Sequence, residues 1–340
     1  MPSTNLYQSP VTNFLINGDM AIAQRATSAV MLNSLTSSSG TYISRFVCDR
    51  WMFYRSTDTP TGSVTCSQVG TGLGGLQYAL RTQRNSGDTS TNGMFILQNI
   101  ESNVWIPSQT IPNAQLTLSF WARTGANFSG SNLTATVSTG TGTNESIRSG
   151  FTGGSNPLSV TIAPNTSWNR YVYTFNFNTA TTEAAVQFFY TPSGTAGAND
   201  YFDITGVMLQ PGPIASSQFQ LASGSAAGLS DELALCKRYC ELIGYGMTGA
   251  TETTSQVGIS GVFTVAKRVA PVAINISGVA CALRQAGNDF SSASPTFPNW
   301  SPSLNGYWTN IAGFSGLTAG AACYSRHFTN AFAYAEAEII

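Results

Sequence analysis

Apolar and polar residues alternate with a period of two along much of the chain. In residues 116–122, the side chains of Leu116, Leu118 and Phe120 fall on one face of an extended segment. Turns rich in Gly, Ser, Thr and Asn separate such segments, which is typical of antiparallel β-sandwiches. Further strands with this alternation are residues 170–177, 185–190 and 201–209. The pattern therefore predicts an all-β fold.

Residues 124–166 contain few large apolar side chains. We expect long loops or exposed edge strands there, because such a segment buries little apolar surface. Strand-like segments return towards the C-terminus, in residues 256–265, 272–276 and 328–340. These segments predict a second β-sandwich.

One segment departs from the period of two. Residues 230–243 predict a helix of about three to four turns. Ser230 is suited to cap its N-terminus, where Asp231 and Glu232 complement the helix dipole, and Gly244 ends it. Its apolar stripe consists of Leu233, Cys236, Cys240 and Ile243. An isolated helix this short is marginal, so the stripe packs either on its own sandwich or against sister chains around a threefold axis.

The length of 340 residues is long for one hydrophobic core and predicts two domains. Residues 221–229 have the small-residue composition of a linker. We therefore place the first β-sandwich at residues 12–220, and the short helix with the second β-sandwich at residues 230–340. Residues 1–11 are predicted to form an extended N-terminal arm.

Charged residues are scarce. Asp, Glu, Lys and Arg make up 9% of the chain, against about 25% in an average soluble domain. The formal net charge of −1 argues against duplex nucleic acid as a partner, since that partner requires a clustered basic face. We expect no membrane insertion, because no run of about 18 apolar residues occurs, and no signal peptide. The composition suits a rigid scaffold that contacts other surfaces, and we expect no enzymatic activity.

Patterns that carry chemistry in other proteins have simpler explanations here. Residues 70–75 match G-x-G-x-x-G, but residues 76–81 alternate like a strand, so we interpret the glycines as a hairpin turn. The lone histidine, His327, has no evident carboxylate partner for a catalytic triad. Glycoside hydrolysis stays open as an alternative, because two carboxylates suffice for it. The candidate carboxylates are Asp19, Asp49, Glu101, Glu183 and Asp203.

The six cysteines show no metal-ligand spacing. Cys236 and Cys240 lie four residues apart, with no second pair to complete a zinc site. We therefore expect buried free thiols.

Residues 297–308 combine aromatic side chains with turn residues. An exposed aromatic ring beside amides offers a platform for the apolar face of a sugar ring. We therefore predict that Trp300, Tyr307 and Trp308 form a glycan-contact surface. Other tryptophans lie in strand-like segments and are expected to be structural: Trp51, Trp121 and Trp168.

Several short motifs occur in an order that resembles appendage proteins of tailed bacteriophages. NFLINGDMAIAQR (13–25) and CDRW (48–51) resemble the opening of a domain recurrent in those proteins. The following motifs continue the order: QLTLSFWAR (115–123), SWNRYVYTF (167–175), DITGVMLQPG (203–212), ELALCKRYCE (232–241), GVFTVAKRVAP (261–271) and AEAEI (335–339). The first half also resembles jelly-roll carbohydrate-binding modules of the galactose-binding type.

This resemblance implies a jelly roll at residues 12–220. It also implies a structural calcium, which such modules hold with carboxylates near their first and last strands. Asn17, Asp19 and Asp203 are the corresponding candidate ligands, although Met20 stands where a second acidic residue is usual. The alternative is that Asp19 hydrogen-bonds the turn. We expect no other cofactor.

Two function classes follow from the resemblance. The first is a virion protein, made in the host cytoplasm, that serves as a subunit of a tail or head fibre or spike and binds a host-surface glycan. It would form a homotrimer and contact other virion proteins through residues 1–11. The alternative is a purely structural virion subunit, such as a capsid decoration or tail connector, without a ligand.

Overall fold

The computed structural model describes residues 13–32, 46–55, 63–105, 114–224, 228–243, 247–275, 280–325 and 333–340. These residues form two compact units. The first lies within residues 13–232 together with Ile339–Ile340, and the second lies within Leu233–Glu338. The predicted N-terminal arm, residues 1–11, and His327 fall outside the described residues. No helix in the described part of the chain is long and apolar enough to cross a membrane.

The described residues of the first unit contain two antiparallel sheets, of six and five strands. Its strands are β1 (Ser28–Leu32), β2 (Met52–Arg55), β3 (Ser63–Leu73), β4 (Leu76–Arg84), β5 (Met94–Ile100), β6 (Gln115–Thr124), β7 (Leu133–Gly140), β8 (Ser155–Ile162), β9 (Asn169–Asn176), β10 (Glu183–Tyr190) and β11 (Tyr201–Pro211). A single 3₁₀ turn, Ile147–Ser149, is described between β7 and β8.

The strand order of the first unit is that of a jelly roll. The six-stranded sheet runs β1-β3-β4-β11-β6-β9, and the five-stranded sheet runs β2-β5-β10-β7-β8. Within them, β4-β11-β6-β9 faces β5-β10-β7-β8, which is the arrangement that two nested Greek keys produce. The prediction of an N-terminal jelly-roll sandwich is confirmed.

The core of this unit lies between its two sheets. Phe120 of β6 and Phe188 of β10 come from opposite sheets and meet edge to face, with ring centres 4.8 Å apart. Trp51 and Trp105 are also buried in this core. Alternating apolar side chains from both sheets therefore fill one interior, as the period of two predicts.

The second unit is a smaller β-sandwich, as predicted. Helix α1 (Gly228–Lys237) begins in the first unit and enters the second at Leu233. The strands of the second unit are β12 (Cys240–Ile243), β13 (Thr248–Thr251), β14 (Gln256–Val262), β15 (Val272–Asn275), β16 (Cys281–Gln285), β17 (Asn288–Ser292), β18 (Ser301–Pro302), β19 (Gly306–Ala312), β20 (Ala322–Ser325) and β21 (Ala333–Glu336). The sheets β12-β21-β15 and β17-β16-β20-β13-β14-β19-β18 share one apolar cluster.

The helix is shorter than the sequence predicts. It ends at Lys237 rather than at residue 243, and it begins at Gly228, so Ser230 is not its N-cap. Residues 240–243 form β12 and pair with β21. Pairing with β21 outweighs the helix propensity of Glu241 and Leu242, and the predicted apolar stripe is therefore divided between a helix and a strand.

The segment 124–166 also differs from its prediction. It contains β7 and β8, and β7 lies inside the five-stranded sheet between β10 and β8. Val137 and Ala135 of β7 are fully buried. Small and β-branched side chains suffice here because the large rings of β10 fill the space beside them.

Two smaller predictions are confirmed. Residues 70–75 lie in the β3–β4 hairpin, where Leu73 pairs with Leu76 and where Gly72 and Gly75 have positive φ. All six cysteines are buried thiols, and none of them forms a disulfide.

Candidate functional site

Asn17, a candidate calcium ligand, organises the loop before β1 instead. Its Oδ1 accepts a hydrogen bond from Ile22 N at 2.9 Å. Its Nδ2 donates to the carbonyls of Ile22 and Asp49, both at 2.9 Å. The residue is fully buried with φ of +57°, a conformation that asparagine tolerates better than most residues. Both ends of its amide are used by the loop backbone.

Asp19 behaves as the alternative interpretation expects. Its Oδ1 accepts a hydrogen bond from Ala21 N at 3.5 Å, within the turn that follows Gly18. Burial raises the pKa of the Asp19 carboxyl above its ordinary value, and the nearby charge of Glu232 raises it further.

Asp203, the third candidate ligand, is engaged by two arginines. Arg81 donates from Nε to Oδ1 at 2.8 Å and from Nη2 to Oδ2 at 2.9 Å. Arg123 donates from Nε to Oδ2 at 2.9 Å. The Asp203 carboxylate is fully buried beneath them. Calcium prefers oxygen ligands free of competing cations, so Asn17, Asp19 and Asp203 do not fit a calcium site. Among the described residues, no group of three or more His, Cys, Asp or Glu is placed to hold a metal.

We predict that calcium leaves the stability of the protein unchanged. A cation that binds only the folded state raises the melting temperature by mass action, and these residues provide no such site. Thermal melts in millimolar CaCl2 and in EDTA should coincide. A melting temperature several degrees higher in calcium, at matched ionic strength, would contradict the assignment of Asp203 to its arginines.

The predicted aromatic surface at residues 297–308 is split by the sheet. Tyr307 is buried, with its hydroxyl 3.1 Å from Met247 Sδ. Trp300 stacks on Tyr307 with ring centres 4.8 Å apart and donates from Nε1 to the Pro271 carbonyl at 2.7 Å. Trp308 is 45% exposed. Tyr307 and Trp308 are consecutive in β19 and so face opposite sides of the sheet. The three rings do not share one surface.

The outer face of the six-stranded sheet is shaped by a β-bulge in β11. The pairing register with β6 shifts between Thr205 and Met208, and Gly206 lies there with φ of +59°. A Cβ on Gly206 would come within 2.8 Å of Leu76 Cδ1 and 3.0 Å of Trp121 Cδ1. Both the dihedral angle and the close approach therefore require glycine.

A groove of about 550 Å³ lies beside this bulge. Trp121 of β6 and Arg170 of β9 line it and are directly paired across the two strands. The hairpin tip, residues 73–76, lines one side, and residues 217–219 line another. Apolar, aromatic, amide, hydroxyl and cationic groups thus meet in one concavity of a size typical of ligand sites.

The chain after β11 crosses back over the outer face of the same sheet. We call residues 212–220 the crossing segment. Thr117 Oγ1 donates to the Gly212 carbonyl at 2.7 Å, and Arg170 Nη2 donates to the Ser216 carbonyl. Outward-facing side chains of β6 and β9 therefore hold the crossing segment, and with it part of the groove wall, against the sheet.

A row of arginines and aromatic rings lies on the same outer face. The guanidinium carbon of Arg81 is 3.6 Å from the centre of the Tyr201 ring, and that of Arg123 is 4.6 Å from the Trp168 ring. Trp168 Nε1 donates to the Thr71 carbonyl of the β3–β4 hairpin at 3.0 Å. These cation–π and hydrogen-bond contacts fix the hairpin over the sheet. They keep the groove walls in place without a ligand.

A pair of carboxylates lies elsewhere, at the start of β10. The Glu145 amide donates to Glu183 Oε2 at 2.8 Å, and a Cβ on Gly142 would lie within 2.6 Å of both Glu145 Oε2 and Glu183 Oε1. The two carboxyl groups therefore converge. Glu183 is buried, so a sugar cannot reach both carboxyls as glycoside hydrolysis requires.

This pair predicts a pH-dependent stability. Burial raises the pKa of Glu183 above its ordinary value, whereas hydrogen bonds from Thr152 lower the pKa of Glu145. The Glu183 contribution is present below the unfolded pKa of about 4.3 and is lost as pH rises through the raised folded pKa. We expect Glu183→Gln to become more stable relative to wild type as pH increases from about 4 to 7. Melting temperatures across this range measure the difference, and a constant difference would contradict the prediction.

Sequence reasoning missed the groove residues. It assigned Trp121 and Trp168 to structural roles because both lie in strand-like segments. The alternation itself held the relevant information, since Trp121 lies on the opposite face from Leu118 and Phe120, which are in the core. Arg170 and the crossing segment gave no local pattern, because their proximity to Trp121 depends on strand pairing and on the path after β11.

No protein-family model and no curated protein matches the chain. Solved structures similar to it include a CBM4 carbohydrate-binding module, with 15% identity over 48% of this chain and 88% of the module, at a TM-score of 0.32. A CBM22-1 xylan-binding domain from Paenibacillus barcinonensis has 12% identity over 55% of this chain and 95% of the domain, at a TM-score of 0.30. The enzymatically active domain of tailspike protein 4 from bacteriophage CBA120 has 16% identity over 53% of this chain and 21% of that chain, at a TM-score of 0.32. The jelly-roll assignment accordingly rests on strand order within this chain.

Proposed function

We propose that this protein binds a glycan through the groove beside the β11 bulge and does not cleave it. The observation that carries the proposal is the placement of Trp121 and Arg170 in one preformed concavity, with Ser217 and Gln218 on its rim. The apolar face of a pyranose stacks on an indole ring, and its hydroxyls hydrogen-bond to guanidinium, amide and hydroxyl groups. Rigid walls limit the entropy lost on binding.

The test compares two tryptophan variants. Trp121→Ala removes the stacking platform and should weaken glycan binding by about 30-fold or more, as expected for a central aromatic anchor. Trp308→Ala is the matched control, because Trp308 is an exposed tryptophan of the second unit and should leave affinity unchanged. A glycan array identifies the ligand, and titration calorimetry measures both variants. Loss of binding in the Trp308 variant alone would move the site to the second unit.

We further propose that the glycan belongs to a host-cell surface and that the protein is an adhesion subunit of a bacteriophage fibre or spike. The ordered motifs from residues 13 to 339 support this placement. Immunogold labelling of purified phage particles with an antibody against this protein would test it. Label on the tail or head appendages is the expected result. Particles without label would contradict it.

The alternative is a structural virion subunit without a ligand. The inward packing of Trp300 and Tyr307 favours it, because these rings were the predicted contact surface. An array on which no glycan binds, combined with labelling of the particle, would establish this alternative.

A homotrimer is part of the adhesion proposal. Size-exclusion chromatography with light scattering at micromolar concentration should return three times the chain mass. A monomer under these conditions would contradict the trimer and leave glycan binding through the groove unaffected, since all the lining residues named above come from one chain.

A further inference from the structure

The charge of the groove indicates what kind of glycan it accepts. The described lining residues include one charged side chain, Arg170, and no carboxylate. Arg170 Nη2 donates to Ser119 Oγ at 3.4 Å and to the Ser216 carbonyl. Within the described residues, Arg170 forms no ion pair, and its Nε and Nη1 donate no hydrogen bond. Two donor nitrogens of a permanent cation are therefore available in the groove.

Three other arginines of this unit are each paired with a carboxylate. Arg55 lies 2.7 Å from Asp88, and Arg84 lies 2.8 Å from Asp200. Arg25 approaches Asp49 to 3.4 Å. Arg170 differs from these three arginines because no carboxylate among the described residues pairs with it. An anionic ligand bound beside Trp121 would supply the missing partner.

The neighbouring charges add to this positive character. On the outer face of β4, β11, β6 and β9, the charged side chains are Arg81, Asp203, Arg123 and Arg170. One carboxylate is shared by Arg81 and Arg123, so this face keeps an excess of positive charge. The Asp19 carboxyl of the adjacent loop is bound to its own turn and does not line the groove. An anion near Arg170 is favoured by the whole face.

We propose that the groove takes an acidic saccharide, with the sugar ring on Trp121 and its carboxylate on Arg170. This inference rests on the proposed function. A guanidinium presents two parallel N–H groups that match a carboxylate, and the bound pair lies in a partly desolvated groove where such a bond is stronger than one to a neutral hydroxyl. Arg170 is thus a specificity-determining residue, and Trp121 supplies the contact common to all sugars.

The experiment first screens the full chain on an array of neutral, carboxylated, sulfated and phosphorylated glycans. The best carboxylated hit and its carboxyl-reduced, neutral counterpart are then titrated. Wild type should bind the carboxylated glycan about 10- to 100-fold more tightly, the range expected for one charge-assisted hydrogen-bonded pair. Raising the salt concentration should reduce this preference.

Arg170→Gln should bring the two affinities within about threefold of each other, because the charged donor is gone. Its affinity for the neutral glycan should fall by less than about tenfold, because Arg170 gives that ligand only hydrogen bonds to hydroxyls. A circular-dichroism spectrum and a cooperative melt like those of wild type show that the first unit of the variant is still folded. Arg170→Lys should keep part of the preference, and Arg284→Gln, in the second unit, should keep all of it.

The outcomes separate the two proposals. Equal binding of both glycans by wild type, or a preference that persists in Arg170→Gln, would overturn the acidic-saccharide inference and leave glycan binding intact. Hits confined to sulfated or phosphorylated glycans would overturn the carboxylate assignment. An array without any hit would overturn the proposed function, and the inference with it.

Discussion

Replacing Arg84 by alanine should lower the free energy of unfolding of the first unit by about 3–5 kcal/mol, the cost of breaking a buried ion pair. Arg84 is fully buried. Its Nη1 lies 2.8 Å from Asp200 Oδ2 and 3.1 Å from Ser129 Oγ. Its Nη2 donates to the carbonyls of Asp88 and Gly194 at 2.7 and 2.9 Å. One guanidinium therefore holds three loops together, and its removal leaves a buried carboxylate without its cation.

The matched control is Arg284→Ala. Arg284 and Asp289 are 3.8 Å apart, and their side chains are 35% and 43% exposed. An exposed pair of this geometry contributes about 0–1 kcal/mol. Urea denaturation, followed by circular dichroism with the transitions of the two units fitted separately, measures both variants. The double variant Arg84→Met/Asp200→Leu should recover part of the loss, because it leaves no unpaired charge. Equal losses for Arg84→Ala and Arg284→Ala would show that the Arg84 network is unimportant.

Replacing Asn17 by aspartate should lower the free energy of unfolding of the first unit by about 2–4 kcal/mol. The change is isosteric, but it replaces the Nδ2 donor by an oxygen that faces the carbonyls of Ile22 and Asp49. A buried carboxylate in this position repels both carbonyls and keeps only the hydrogen bond from Ile22 N. Chemical denaturation in EDTA measures the loss.

The aspartate variant also discriminates between the two roles considered for Asn17. A calcium ligand tolerates Asn→Asp, since a carboxylate binds calcium at least as well as an amide. A loop organiser does not. Stability that equals wild type in EDTA, or that rises with added calcium in the variant, would contradict the hydrogen-bonding role. Asn17→Ser, which keeps one donor and one acceptor on a shorter side chain, should be intermediate.

The fold was accessible from the sequence because its evidence is local. Alternation in residues 116–122 and 201–209 reports directly which side chains face the core, and the observed strands β6 and β11 contain these segments. Residues 240–243 were assigned wrongly to the helix because their strand pairing with β21 involves residues about 95 positions away. Pairing partners at such separations leave no periodic trace in a four-residue segment.

The groove was not accessible in the same way. Trp121 and Arg170 become neighbours through the pairing of β6 with β9. The hairpin tip reaches them at the β-bulge around Gly206, and the alternation of apolar and polar residues in β11 gives no sign of that bulge. The candidate calcium ligands failed for a different reason. Their sequence positions match the resemblance, but the partners that occupy Asp203 are arginines on two other strands. The presence of an aspartate at a given position does not show whether its partner in the fold is a metal ion or an arginine.

The hairpin tip has room to vary. A Cβ on Gly74 would meet no atom within 4 Å, and the residue is exposed, so side chains of many sizes fit there without disturbing the core. The tip lines the groove, and its two turn residues, Gly74 and Gly75, take no part in the pairing of β3 with β4. Under the proposed glycan-binding role, substitutions at this one position change which ligands are accepted while the stability of the scaffold stays the same. Recognition and folding thus depend on separate residues at this end of the groove.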